Sequence, residues 1–133
     1  MKLREKTEYL WDKYGFVPHK KLGQNFLIDP GIVSRIIEAL EPNERDTVLE
    51  IGAGTGVLTE RLIPLVKKVI AVEIDEKLCQ ILEKEVGQYP NLKIICADVT
   101  KTSLLDELHH QQKVKIVGNL PYHIASSLLL ELL

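Results

Sequence analysis

The chain has 133 residues, of which 45% are apolar, 27% charged and 5% aromatic, with a formal net charge of −2. These fractions exclude an intrinsically disordered chain, and no apolar run approaches the roughly 18 residues that a membrane-spanning helix needs. A chain of this size buries about two-thirds of its unfolded surface, which suits one compact domain and excludes two full ones.

The first predicted element is a helix over 4–13, followed by an irregular link over 15–23 that contains Pro18. Residues 1–24 hold six Lys/Arg against three acids, a surplus of +3 that leaves −5 for the rest, and five of the seven aromatics fall within the first 26 residues. Such an arm either touches RNA, through cations on phosphates and aromatics on unpaired bases, or packs onto the domain through Tyr9, Leu10, Trp11 and Phe16. Lys20 and Lys21 are the candidates for RNA phosphate. Lys2, Arg4 and Lys6 are not followed by an apolar segment, so no secretory signal is expected.

Asp29-Pro30 reads as an N-cap with proline at the first helical position; Ile32, Val33, Ile36, Ile37 and Leu40 then form an apolar stripe that Pro42 and Asn43 close. From residue 47 short β-branched runs at 47–51, 69–74, 92–97 and 114–117 alternate with helical patterns at 58–66, 76–86 and 103–110. Runs apolar at consecutive positions fit strands covered on both faces, so the expected class is α/β, with about four parallel strands and flanking helices. A last apolar helix is expected over 124–133. The organisation expected is an arm and cofactor-capping segment over 1–28 and a Rossmann-like domain over 29–133. Cys79 and Cys96, 17 residues apart with no C-x-x-C pair and no histidine at ligand spacing, read as reduced structural cysteines of a cytoplasmic protein, and no metal site is expected.

The first strand runs into Glu50-Ile51-Gly52-Ala53-Gly54-Thr55-Gly56. Glycines at the carboxyl end of the first strand let the backbone turn sharply and let a ligand approach it, as in nucleotide-binding loops. The third glycine comes one residue too early for the dinucleotide fingerprint, and the loop opens with an acid. Both features favour S-adenosylmethionine over NAD, because its methionine ammonium group wants a carboxylate, such as Glu50, or a carbonyl nearby and it brings no pyrophosphate to cradle. Glu73, 21 residues after Gly52, stands where a ribose-binding acid is expected; Asp75 reads equally well as a helix cap. Asp98, at the third strand end, could accept from the exocyclic amine of the cofactor adenine. The fourth strand ends in Gly118-Asn119-Leu120-Pro121-Tyr122. Methylation of an exocyclic amine is helped by acceptors that draw its nitrogen toward tetrahedral geometry. The Asn119 side chain and the Leu120 carbonyl can supply them, while Pro121 stiffens the loop and Tyr122 offers a stacking face.

Lys21-Leu22-Gly23-Gln24-Asn25-Phe26-Leu27, the glycine loop, Glu73, Asp98 and Asn119 to Tyr122 together resemble the ribosomal RNA adenine N6,N6-dimethyltransferases, most closely the KsgA-type enzymes of the small subunit. The resemblance implies a class I S-adenosylmethionine-dependent methyltransferase. In it Asn25 and Leu27 contact the methionine end of the cofactor, Gly52 and Gly54 line it, Glu73 binds ribose, Asp98 binds adenine, and Asn119 touches the cofactor while orienting the target amine. The implied partner is small-subunit ribosomal RNA or a pre-30S particle, without a membrane. The Erm-type enzymes of large-subunit RNA share most of these motifs, and a non-catalytic cofactor-binding module is the remaining alternative. Family members continue with further strands and a helical RNA-binding domain. An N-terminal part of the catalytic domain is therefore expected, self-associating through an exposed strand edge or its last helix.

Overall fold

In the computed structural model, which describes residues 2–17, 29–98 and 114–118, the chain runs α1 (Leu3–Tyr14), α2 (Pro30–Leu40), β1 (Thr47–Ile51), α3 (Val57–Leu62), β2 (Lys68–Glu73), α4 (Glu76–Val86), β3 (Leu92–Cys96) and β4 (Val114–Gly118). The four strands form one parallel sheet in the order β3-β2-β1-β4. All five residues of β1 are buried, as are the last five of β2. This is the burial that consecutive β-branched residues require. Val48, Val69 and Ala71 pack on one face with Val33 of α2, Leu58 and Leu62 of α3, and Leu82 and Val86 of α4. Leu49, Ile51, Ile70 and Val72 alternate to the other face and are equally buried.

Side-chain caps begin two of the helices. Asp29 caps α2 by accepting from Gly31 N–H at 2.8 Å, and Asp75 caps α4 by accepting from Lys77 and Leu78 N–H at 2.9 and 3.1 Å. Lys115 of β4 reaches the far end of α2, donating to the Leu40 and Glu41 carbonyls at 3.0 and 2.7 Å while pairing with Asp46 at 2.9 Å. The helix expected over 58–66 stops at Leu62. Ile63 keeps helical angles (φ −48°, ψ −48°) and gives its N–H to the Thr59 carbonyl at 3.0 Å, but Pro64 has no N–H with which to extend the ladder, and Asn91 Nδ2 takes up the Ile63 carbonyl at 2.9 Å.

The N-terminal helix packs onto the domain. At its end Gly15 adopts φ 65°, and the N–H groups of Gly15 and Phe16 donate back to the Asp12 and Trp11 carbonyls, a Schellman ending. Phe16 packs with Leu78 and Ile81 of α4, and Tyr14 donates to Glu85 at 2.7 Å. Of the residues expected to pack the arm onto the domain, Leu10 and Phe16 are buried and Trp11 packs against the Phe16 cluster, as Tyr14 does, whereas Tyr9 is 53% exposed. Lys20, Lys21, Asn25, Leu27, the segment over 103–110, the run Asn119 to Tyr122 and the helix expected over 124–133 lie outside the described residues.

The two cysteines depart from expectation. The structure joins Cys79 and Cys96 by a disulfide with Cα atoms 5.9 Å apart, within the usual span of about 4.4–6.8 Å. Their separation in sequence conceals the reason. Register sets Cys96 beside Glu73, and α4 starts immediately beyond Glu73, so the second turn's start on α4 comes back against the end of β3.

Candidate functional site

Strand order reverses at β1: the chain proceeds from β1 outward to β2 and β3, then returns to β4 on the other side. Ligands of open α/β sheets bind at the carboxyl edge beside such a switch point. Here that edge carries the glycine loop after β1, Glu73 at the end of β2, Asp98 just beyond β3, and Gly118 at the end of β4.

Gly52, Gly54 and Gly56 have φ of 74°, 60° and 88°, left-handed values that side chains strain to adopt. Gly52 N–H donates to the Val72 carbonyl at 2.8 Å, tying the loop to β2. Gly118 pairs with Ile51, and a Cβ on it would drive into the Ile51 carbonyl oxygen. The approach of β4 to the loop thus requires glycine, and the chain enters Asn119 directly from it.

Glu73 is 5% exposed and fully oriented: one carboxylate oxygen accepts from Gly54 N–H at 2.8 Å, the other from Asp75 N–H at 3.0 Å. Burial raises its pKa above the ordinary range, and the bonds from the Asp75 and Gly54 amides hold it back. Each oxygen keeps lone-pair capacity for a further donor. Asp75, which could equally have been a ligand, spends its carboxylate on the cap of α4. Ala97 N–H donates to the Glu73 carbonyl at 3.0 Å, which sets Asp98 beside the same strand end.

Glu50 lies in β1, where the spacing puts it, but faces inward. It is 2% exposed within β1, and its carboxyl accepts from the Thr59 hydroxyl of α3 beneath the glycine loop. Burial, with the nearby Glu73 charge, pushes its pKa up to about 8 against the Thr59 bond, so it holds a proton at neutral pH. Its partner Thr59 was not singled out in the sequence. The available signal was an acid inside an apolar strand, which demands a polar partner, and Thr59 is the polar group between Leu58 and Leu62 on the inward side of α3. Among the described residues no cluster of His, Cys, Asp and Glu could hold a metal ion, and no helix is long and apolar enough to cross a membrane.

Comparison with known proteins extends this geometry. The family model described as Ribosomal RNA adenine dimethylase matches residues 15–133. Ribosomal RNA small subunit methyltransferase A of Shouchella clausii (strain KSM-K16) is 45% identical over 132 residues, covering 96% of this chain and 45% of that protein. The chain spans about half the length of the curated relatives it matches. A dimethyladenosine transferase from Plasmodium falciparum superposes with a TM-score of 0.64 at 38% identity, over 78% of this chain and 36% of that one. The 23S rRNA methyltransferase ErmE does so with a TM-score of 0.67 at 31% identity, over 79% and 41%. The sheet and its flanking helices are those of the Rossmann-like class I methyltransferases.

Proposed function

Because the chain belongs to the ribosomal RNA adenine dimethylase family, we propose that it binds S-adenosylmethionine at the carboxyl edge of the sheet and serves the dimethylation of exocyclic adenosine amines in small-subunit ribosomal RNA. The observation that carries this reading is the Glu73 carboxylate, held at the crevice by the Gly54 and Asp75 amides with acceptor capacity to spare. A cis-diol is the ligand chemistry that uses two oriented carboxylate oxygens, and a side-chain-free loop at Gly52 and Gly54 admits a ligand against the backbone. When bound, S-adenosylmethionine supplies a sulfonium-activated methyl group.

The roles then divide among the chain's own residues. Glu73 fixes the ribose hydroxyls, and Asp98 accepts from the adenine amine. Glu50 braces the loop from below through Thr59, in place of a direct contact with the ammonium group. Asn25 and Leu27 hold the methionine end. Asn119 and the Leu120 carbonyl accept the two hydrogens of the target amine, Pro121 stiffens that run, and Tyr122 stacks on the target base. Lys20 and Lys21 meet RNA phosphate. The partner is small-subunit RNA or a pre-30S particle, met in the cytoplasm. Ile116 of β4 is 43% exposed, on a strand whose neighbour among the described residues is β1 alone, and this supports self-association through that edge. A monomer in light scattering at micromolar concentration overturns that last point.

The likeness to ErmE favours a second reading, large-subunit RNA as the target. Support for the small subunit is the higher identity to a relative named for it. The test is calorimetric titration with S-adenosylmethionine, then tritiated methyl transfer to undermethylated small and large subunits. Binding with transfer to small subunits is expected, and Asn119→Ala should abolish transfer while keeping much of the binding. Transfer to large subunits alone selects the second reading, and binding without transfer leaves a cofactor-binding module.

A further inference from the structure

Three features meet behind Glu73. Its carbonyl oxygen accepts from Ala97 N–H at 3.0 Å and lies 3.3 Å from Cys79 Sγ, and register sets Cys96 directly beside it. Cys79 lies on α4, whose cap residue Asp75 gives its own N–H to the Glu73 carboxylate; Cys96 precedes Ala97 and Asp98 by one and two positions. The bridge between them ties the start of α4 to the end of β3 across the groups to which the adenosine half of the cofactor is assigned. Cys79 is 8% exposed, whereas Cys96 is exposed on β3, the outermost strand at that side of the described sheet.

We propose that Cys79 and Cys96 are a reversible thiol-oxidation site, reacting with low-molecular-weight disulfides, whose bridge clamps the adenosine side of the cofactor crevice. The inference rests on the cofactor site proposed above only for its effect on binding. The Cys96 thiolate, the accessible one, attacks the small disulfide, breaking its S–S bond and expelling one small thiolate. The Cys79 thiolate then attacks the Cys96 sulfur, forming the protein disulfide and expelling the second. The protein gives up two electrons and two protons, and the small disulfide ends as two thiols. The Glu73 carbonyl, 3.3 Å from Cys79 Sγ, is within reach of the thiol that reduction creates, so the buried sulfur has Cys96 as its partner when bridged and an acceptor at hand when reduced. What changes is the tether. Bridged, the segments carrying Asp75 and Asp98 are joined covalently; open, only the hydrogen bonds that each makes to Glu73 link them, and the ordering that binding requires is less fully prepared.

The experiment uses the 133-residue chain equilibrated with oxidised glutathione or with dithiothreitol, alongside Cys96→Ser, a change at an exposed position that leaves the core intact. Thiol titration should find two reactive thiols in the reduced chain and none in the oxidised one. Amide hydrogen exchange over residues 74–79 and 96–98 should be slower in the oxidised chain. S-adenosylmethionine should bind at least about threefold tighter to it, by preorganisation, and Cys96→Ser should show neither difference. Two thiols persisting in oxidised glutathione, equal exchange in the two states, or equal affinity in the two states each overturns the inference. Absence of S-adenosylmethionine binding in both states defeats the proposed function instead, and the oxidation site is then judged on thiol count and exchange.

Discussion

Two glutamates stand at the ends of neighbouring strands and do different work. Glu50 and Glu73 are both nearly inaccessible, and burial raises the pKa of both. Glu73 receives two backbone N–H groups at the crevice, whereas Glu50 receives one hydroxyl from within the core. Amide donors stabilise a charge; a lone hydroxyl in a dry site does not repay the desolvation of one. Strand position alone does not make an acid a ligand. What decides is the number of donors the fold aims at it and the direction from which they come.

The sharpest way to break this comparison is to remove the ionisable group from Glu50 alone. Its pKa stands near 8 in the folded chain against an ordinary 4.5. Below pH 4.5 both folded and unfolded chains carry the proton, and Glu50 costs nothing. Between 4.5 and 8 the unfolded chain ionises while the folded one keeps its proton, so stability falls as pH rises, and above 8 the loss is complete. Glu73, raised as well, acts in the same direction. Glu50→Gln should therefore flatten the profile by about 3–5 kcal/mol across that window without abolishing it. Urea denaturation of both chains at pH 5 and pH 8 measures the difference; parallel profiles would place Glu50 in a wetter setting than its burial indicates.

Glu73→Ala tests the other half. The expected cost is to binding: loss of charged hydrogen bonds to a diol is worth about 1.5–3 kcal/mol, roughly ten- to hundredfold in Kd. The space left by the side chain admits water to the Gly54 and Asp75 amides, so folding should change less than binding. Calorimetry with S-adenosylmethionine beside a denaturation curve separates the two. An unchanged Kd would move the diol away from β2.

The same contrast governs what was legible in the sequence. The glycine loop, the caps Asp29 and Asp75, and the four strands follow from local chemistry: glycine before a helix, an oxygen acceptor at its first turn, β-branched runs in a two-sided sheet. The features that escaped depend on what the fold brings together. Thr59 under Glu50 and Cys79 beside Cys96 are pairings set by the turn after β1 and the register of β3 on β2. Local pattern does not encode them. Pro64 is the exception, since the N–H it lacks at the end of α3 is local and is visible in the sequence.

The smallest expected effect falls on the acid two residues from Glu73. Asp75 lies as close to the crevice in sequence, yet its Oδ1 accepts from both Lys77 and Leu78 N–H, and it touches the candidate ligand acid through its own backbone N–H. Asp75→Ala removes the cap and keeps that N–H. Stability should drop by about 1 kcal/mol, the usual cost of losing an N-cap acceptor, while affinity for S-adenosylmethionine changes far less than in Glu73→Ala. Denaturation midpoints and calorimetry on the two variants give the comparison directly. If Asp75→Ala weakened binding as much as Glu73→Ala, the side chain would be a ligand as well as a cap, and the division of labour within Glu73-Ile74-Asp75 would have to be redrawn.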